Sequence, residues 1–285
     1  MAIIRLTLAV IMVLILGPSP YGRTSMAATV YPIVAFSDFW SNEPTGYLLG
    51  GSAGGKWLKP GAAVALIPGG EHYRLYTLTG KVGTSVGRKP TKGKEDGPCA
   101  DTLYVRLTPI PKDIESLVAV GGPWDAMPRP IKITSTEQQV YKETAAEILK
   151  SQGIENPQVI LTQVLRVDLD GDGVEEVLVS ATNYKRYERR GRLTPNSRAG
   201  DYSMVFLRKV IQGKVVTSII KGEYYPQAKE FNAPTEHKVI GIIDLNGDGI
   251  MEIVLSHQQY EGEWIAVYRV EGTKIILLFG MGCGV

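Results

Sequence analysis

The chain is short of cysteine and histidine, with two and three respectively in 285 residues. Cys99 and Cys283 allow at most one disulfide, and an even count in an exported chain suggests that they pair. That pairing would tie the N-terminal region to the last strand and stabilise by roughly 5 kcal/mol in the chain-entropy model. Two free thiols are the alternative. Net charge is also scarce, at +2, so no global attraction to nucleic acid or anionic membrane is implied. No N-x-Ser/Thr sequon is present, which is compatible with a bacterial source. Beyond the N-terminus no stretch is apolar enough to span a bilayer.

The apolar run at the start reads as a targeting segment. Arg5 is the first charge, Leu6 to Leu16 form an apolar core, and Ser25-Met26-Ala27 offers small residues before a cut. Residues 1–27 are therefore assigned to a signal peptide, and the mature chain to the cell surface, periplasm or exterior. The remaining composition, with 32 Gly, 17 Pro and 21% charged residues, suits a turn-rich β protein.

Two stretches carry chemistry. In the first, Asp168, Asp170, Asp172 and Glu176 stand at loop positions 1, 3, 5 and 9, with Gly173 at position 6 and the Val174 carbonyl at position 7. In the second, Asp244, Asn246, Asp248 and Glu252 repeat the pattern, with Gly249 and the Ile250 carbonyl, 76 residues later. A hard cation such as Ca²⁺ needs six to eight oxygens at short range, and a tight loop of alternate acidic side chains supplies them. An EF-hand also needs a bidentate Glu at position 12, but Val179 and Leu255 stand there inside apolar, β-branched runs. Each loop is therefore expected to join two strands. A hairpin turn rich in Asp and Gly is the bland alternative, and repetition of the spacing argues against it. Without a position-12 ligand, the expected affinity is weak, roughly 10⁻⁴ to 10⁻³ M.

This pattern, Asp-x-Asp/Asn-x-Asp-Gly-x-x-Glu between apolar strands, resembles the FG-GAP/VCBS repeats, best known from the calcium-binding blades of integrin α-subunit propellers. The resemblance covers roughly residues 159–280 and implies two structural Ca²⁺ sites on propeller-like blades. It departs from the family where the Phe-Gly and Gly-Ala-Pro signatures should precede the loops. Two loops also fall short of a closed propeller, which uses four to eight blades.

Residues 28–133 form the N-terminal β region. Apolar runs at Ala62 to Ile67, Tyr73 to Leu78 and Leu103 to Leu107, separated by Gly and Pro, predict strands of a small barrel or sandwich. Lys89 to Gly97 reads as a solvated loop and Pro123 to Pro130 as a linker. One helix is expected in 134–153, capped by Ser135 with Gln138 or Thr134 with Glu137. Its apolar face is Val140, Tyr141, Ala145, Ile148 and Leu149, and it ends at Gly153. We expect it to brace the two β parts. From 154 to 285 two units of four antiparallel strands follow, their third and fourth strands joined at Gln212-Gly213 and Glu271-Gly272. The first unit carries an insertion, Tyr184 to Gly200, whose Tyr187, Arg189, Arg190 and Arg192 form a candidate recognition loop for a protein, sugar or polyanion.

Two further motifs fail on context. Gly83-Thr84-Ser85-Val86-Gly87 matches a hydrolase nucleophile elbow, but the residues after it cannot start a helix, and a Gly-rich turn is expected instead. Gly50 to Trp57 nears a P-loop, with Trp57 where Ser/Thr should hold Mg²⁺. Outside the loops, Asp38, Glu43, Glu71, Asp101, Asp113, Glu115 and Asp125 form no recognisable catalytic set. The sequence thus points to a mainly β, non-enzymatic, calcium-binding adhesion or scaffold module. The alternative is a hydrolase of glycans or esters with structural calcium. Aromatics at Tyr224-Tyr225 and Tyr260 to Trp264 are candidates for a sugar surface, with strand-edge packing as the other reading.

Overall fold

The computed structural model describes residues 29–37, 45–112, 114–186 and 193–284. The segment read as a signal peptide, the recognition residues Tyr187, Arg189, Arg190 and Arg192, and Asp38, Glu43 and Asp113 lie outside the described residues. The fold is mainly β, 52% strand against 8% helix, in several antiparallel sheets. Among the described residues no helix is long and apolar enough to cross a membrane.

The N-terminal region contains strands β1 (Val30–Ser37), β2 (Thr45–Ala53), β3 (Lys56–Leu58), β4 (His72–Thr77), β5 (Gly80–Gly87), β6 (Thr91–Lys92), β7 (Leu103–Thr108) and β8 (Ser116–Val120). They run in the order β3-β2-β1-β8-β4-β5-β7-β6, and β7 pairs again with β2. That extra pairing closes six strands, so the region is a barrel rather than a sandwich. Its interior is filled by Val34, Leu48, Tyr73, Leu75, Val105 and Leu107. The run Ala62 to Ile67 is not a strand. It continues helix α1 (Pro60–Ala63) as a 3-10 turn, Val64–Leu66, with Pro60 pre-set for the first helical position. The expected loop at Lys89 to Gly97 pairs Thr91 and Lys92 with β7.

The second half is two meanders. The first comprises β9 (Lys132–Ile133), β10 (Leu161–Val167), β11 (Glu176–Thr182), β12 (Asp201–Ile211) and β13 (Lys214–Tyr225), with helix α2 (Gln139–Ser151) between β9 and β10. The second is β14 (Glu236–Ile243), β15 (Glu252–Gln258), β16 (Gly262–Glu271) and β17 (Lys274–Gly284). Each is an antiparallel sheet in sequence order; the second has the four strands expected, and the first adds a fifth, β9. Ile211 pairs with Lys214 across Gln212-Gly213, both at positive φ, in the form expected of a two-residue hairpin. The second hairpin is shifted by one: Glu271 pairs with Lys274, so its turn is Gly272-Thr273.

The meanders are covered on both faces, which is why β11 is buried along its whole length. Val167, Leu178, Val205 and Leu207 of the first pack against Val239, Ile253, Leu255 and Ala266 of the second. The other face of the second meets the barrel through Ile240, Val254, Val267, Ile33 and Leu49. The other face of the first is closed by α2. The layers are thus helix, meander, meander, barrel. Helix and barrel end the stack where a propeller would continue to another blade.

α2 therefore does not brace the two β parts; it covers the outer face of one. Tyr141, Ala145 and Leu149 are its buried residues, while Val140 points outward, about half exposed. It begins later than the expected capping box. Gln138 is the N-cap and makes no side-chain cap bond, because the Ser135 hydroxyl accepts from Glu137 N–H in a turn ahead of the helix. Its end follows the sequence closely. Gly153, at φ +89°, donates to Lys150 O, and Ile154 donates to Leu149 O while packing beside it. That is the paired-bond glycine stop.

Candidate functional site

The two acidic loops sit side by side. Met251 N–H donates to Leu169 O at 2.8 Å, joining one loop to the other. Arg129 adds a second connection: its guanidinium donates to the carbonyls of Asp168, Leu169 and Gly249. Trp124 Nε1 donates to Asp244 O at 2.8 Å, and Asp244 N–H donates to Ala126 O. The stretch Pro123 to Pro130, expected to be a linker, is therefore a strap across both loops. Its prolines and few apolar residues hid that role.

Within each loop the position-1 aspartate organises the turn. Asp168 accepts from Gly171 N–H at 2.7 Å and Gly173 N–H at 3.1 Å. Asp244 accepts from Gly247 N–H at 2.7 Å and Gly249 N–H at 2.9 Å. All four glycines have positive φ, which a side chain rarely tolerates. The position-9 glutamates reach back: Glu176 accepts from Leu169 N–H at 2.8 Å, and Glu252 from Leu245 N–H at 3.0 Å. Asp172 and Asp248 accept from Val174 and Ile250 N–H, which turns those residues through the bend. The Val174 side chain is exposed, and that of Ile250 is half-buried.

A cation from the third strand completes each loop. Lys209 Nζ lies 2.6 Å from Asp170 Oδ2 and 2.6 Å from Glu176 Oε1. Arg269 Nη1 lies 2.8 Å from Asp248 Oδ2 and 2.8 Å from Glu252 Oε1. The registers Val177↔Arg208 and Ile253↔Tyr268 each place the next residue outward, Glu176 or Glu252, opposite its cation. Burial works against the Lys209 ammonium, but its bonds to Asp170 and Glu176 raise its pKa. Burial pushes the Glu252 carboxyl up to about 8, opposed by Leu245 N–H and Arg269. In the first loop Asp168, Asp170 and Glu176 each bring an oxygen within 4.8 Å of the others. Sequence reading missed both cations. Each sits two residues before the pair that closes its hairpin, and counting back from that pair would have found it.

At the far end of the meanders is a cleft of about 760 Å³. One wall is β13, with Lys221 and Glu223; the other is the second meander, with His237, His257 and Trp264; the barrel segment 98–102 and the end of β17 complete it. Cys99 and Cys283 line it at disulfide distance, Cα atoms 5.1 Å apart, tying barrel to β17 as the sequence suggested. His237 and His257 face each other in register, Nδ1 to Nδ1 at 2.9 Å, and Tyr268 Oη lies 3.3 Å from His257 Nε2. His237 is 2% exposed, and among the described residues its Nε2 has no hydrogen-bond partner. Burial, reinforced by Lys221, holds His257 down to about 4; burial, His257 and Lys221 hold His237 lower still. Both imidazoles are neutral at pH 7. Glu263, also buried, accepts from Ser256 Oγ at 2.9 Å.

Trp264 lies against a bed of glycine. A Cβ at Gly280 would stand 2.3 Å from Trp264 Nε1, and one at Gly282 2.6 Å from Trp264 Cα. The indole is 42% exposed. The serine of Gly83 to Gly87 does no comparable work. It is buried within β5, a strand rather than a turn, and its hydroxyl donates to Pro109 O. Gly54-Gly55 of the near-P-loop are simply the turn between β2 and β3. From the described part of the insertion, Arg186 reaches the second meander and bonds Glu236 and Gln258.

Comparison with protein-family models, curated proteins and solved structures finds no match for this chain.

Proposed function

We propose that this protein is an exported, non-enzymatic binding module, with its ligand site in the cleft between the meanders and its acidic loops as structural pins at the opposite end. The observation that carries this reading is His237, which lines a cleft of about 760 Å³ and whose buried Nε2 has no hydrogen-bond partner among the described residues. An orphaned polar atom costs about 1–3 kcal/mol, and a ligand that bonds it recovers that cost. The cleft volume is within the usual range of small-molecule sites, about 300–1,000 Å³. Glu223 and Glu263 also line the cleft, which keeps a glycan or ester hydrolase as the second reading. Yet Glu223 already accepts from Tyr225 Oη and Thr235 N–H, and Glu263 from Ser256, so each carboxylate is engaged in holding structure.

Calcium enters the proposal unequally at the two loops. In the first, Asp168, Asp170 and Glu176 fit a hard cation once Lys209 withdraws, with Asp172 and the Val174 carbonyl near by in sequence. The ion would neutralise those carboxylates and stiffen the turn. In the second, Arg269 bonds both Asp248 and Glu252, and the donors left, Asp244, Asn246 and the Ile250 carbonyl, are too few. This is the sense in which FG-GAP/VCBS-like chemistry is proposed here: one weak Ca²⁺ site and one loop closed by arginine.

The test is thermal unfolding of the protein against a broad panel of soluble oligosaccharides, peptides and nucleosides, alongside Trp264→Ala. A ligand at 100 times its Kd should stabilise by about 2.7 kcal/mol. That gain should vanish in the variant, and no panel member should be turned over. Stabilisation that survives Trp264→Ala would remove the cleft from the proposal, and product release would favour the hydrolase.

A further inference from the structure

The chemistry of the cleft walls narrows the ligand, on the premise that the cleft is the binding site. Its charged groups are of both signs and interspersed. Lys221 stands close enough to the imidazole pair to depress both, while Glu223, Glu263 and Asp101 line the same space. A polyanion would meet three carboxylates, and a cationic ligand would meet the Lys221 ammonium beside the histidines. A ligand carrying hydroxyl groups meets neither penalty, since each hydroxyl donates and accepts. The floor is mixed in the same way. If Tyr268 donates to His257 Nε2, proton positions shift along the pair and His237 Nε2 carries a hydrogen. If His257 Nε2–H donates to Tyr268, His237 Nε2 presents a lone pair. Either form suits a hydroxyl and neither requires an ion.

The apolar wall is flat. Trp264, 42% exposed, lines the cleft with its indole packed against Gly280, where no side chain intervenes. The C–H face of a sugar ring complements such a surface, and its rim hydroxyls then reach the polar groups around it. At the mouth, the Gln259 amide donates to Thr235 Oγ1 at 3.0 Å, leaving its carbonyl as a further acceptor.

We propose that the cleft binds an uncharged saccharide, stacked on Trp264 and hydrogen-bonded by His237 Nε2, with Glu263 and Gln259 at its edges. The barrel segment around Cys99 forms the lip that the disulfide-distance pair fixes against β17.

The experiment is isothermal titration of the full protein with neutral hexasaccharides of glucose, xylose, mannose and N-acetylglucosamine. Heparin and hexalysine serve as charged comparators. At least one neutral hexasaccharide should bind with a Kd below about 1 mM, the affinity of about −4 kcal/mol. Trp264→Ala should weaken it at least tenfold, and His237→Phe likewise, whereas His237→Gln, which keeps a hydrogen-bonding group, should recover part of the loss. Gln259→Ala, at an exposed position, supplies a variant whose folding is not at stake, and should weaken binding severalfold. Heparin or hexalysine binding through Trp264 while every neutral sugar fails would overturn the ligand class and leave the cleft as the site. No ligand of any class responding to Trp264→Ala or Gln259→Ala would overturn both readings.

Discussion

Lys209 and Arg269 occupy equivalent positions in the third strands of the two meanders, and each sets its charge between two carboxylates of its own loop. The distance from cation to hairpin is the same in both: Ile211↔Lys214 and Glu271↔Lys274 close the turns two residues further on. A loop whose oxygens would suit a metal is thus balanced from within the chain. The two cations differ in kind: Lys209 carries a compact ammonium on a flexible stem, Arg269 a planar guanidinium fork pre-organised for carboxylates.

Lys209→Met should therefore do two things. Without calcium it leaves Glu176 buried and uncompensated, and breaking such a pair costs about 3–5 kcal/mol. With millimolar Ca²⁺ the same variant should regain most of its melting temperature, and by more than the native chain gains. Thermal scans in chelator and in a calcium series read both effects. A variant that stays equally unstable at every calcium concentration would show that the first loop takes no cation.

Arg269→Met is the contrasting case. It should lose a similar ~3–5 kcal/mol, but calcium should restore little, since Asn246 stands where the first loop has Asp170. Recovery equal to that of Lys209→Met would make the two loops equivalent sites, as the repeated spacing alone suggests.

How much of this could be read from the chain depends on the range of the interaction. The β10–β11 and β14–β15 turns, the meanders and the Gly153 stop are set by residues within a few positions of each other, and local pattern found them. The strap at Trp124 and Arg129, the barrel closure between Tyr47 and Tyr104, and the facing of His237 with His257 join segments through tertiary packing. A pattern search limited to neighbours does not reach them. Ala62 to Ile67 failed for a different reason: a short apolar run does not distinguish strand from buried helix, and Pro60 decided it. The capping box failed because Ser135 and Thr134 were used one turn too early, in a bend of their own.

Gln163 is a cross-sheet clamp whose removal can be measured directly. Its amide donates to Val239 O at 2.9 Å and accepts from Val239 N–H at 2.9 Å, replacing ladder bonds where β14 bulges. Ser180 Oγ also donates to it, at 2.8 Å. Gln163→Leu preserves volume but orphans the Val239 backbone pair, so a loss of about 2–4 kcal/mol is expected. Chemical denaturation should show a lower midpoint with an unchanged slope, and hydrogen exchange at Val239 should accelerate. An unchanged midpoint would mean that the bulge is satisfied by other partners.

The imidazole pair makes stability depend on pH in a stated direction. Both histidines are more easily protonated unfolded, near 6.5, than folded, where burial holds His257 to about 4 and His237 below it. Folded-state pKa values below the unfolded ones mean stability that is present above about pH 6.5 and lost as pH falls toward 4. For His257 alone the loss approaches about 3 kcal/mol at the acid end. Replacing both histidines by glutamine should lower stability at pH 7.5 and flatten the fall between pH 7 and 5. The control is the carboxylate background, common to both proteins, which the difference between their denaturation midpoints removes. Parallel pH curves for the native and double-glutamine chains would show that the pair titrates freely, and that the cleft floor is wetter than its burial implies.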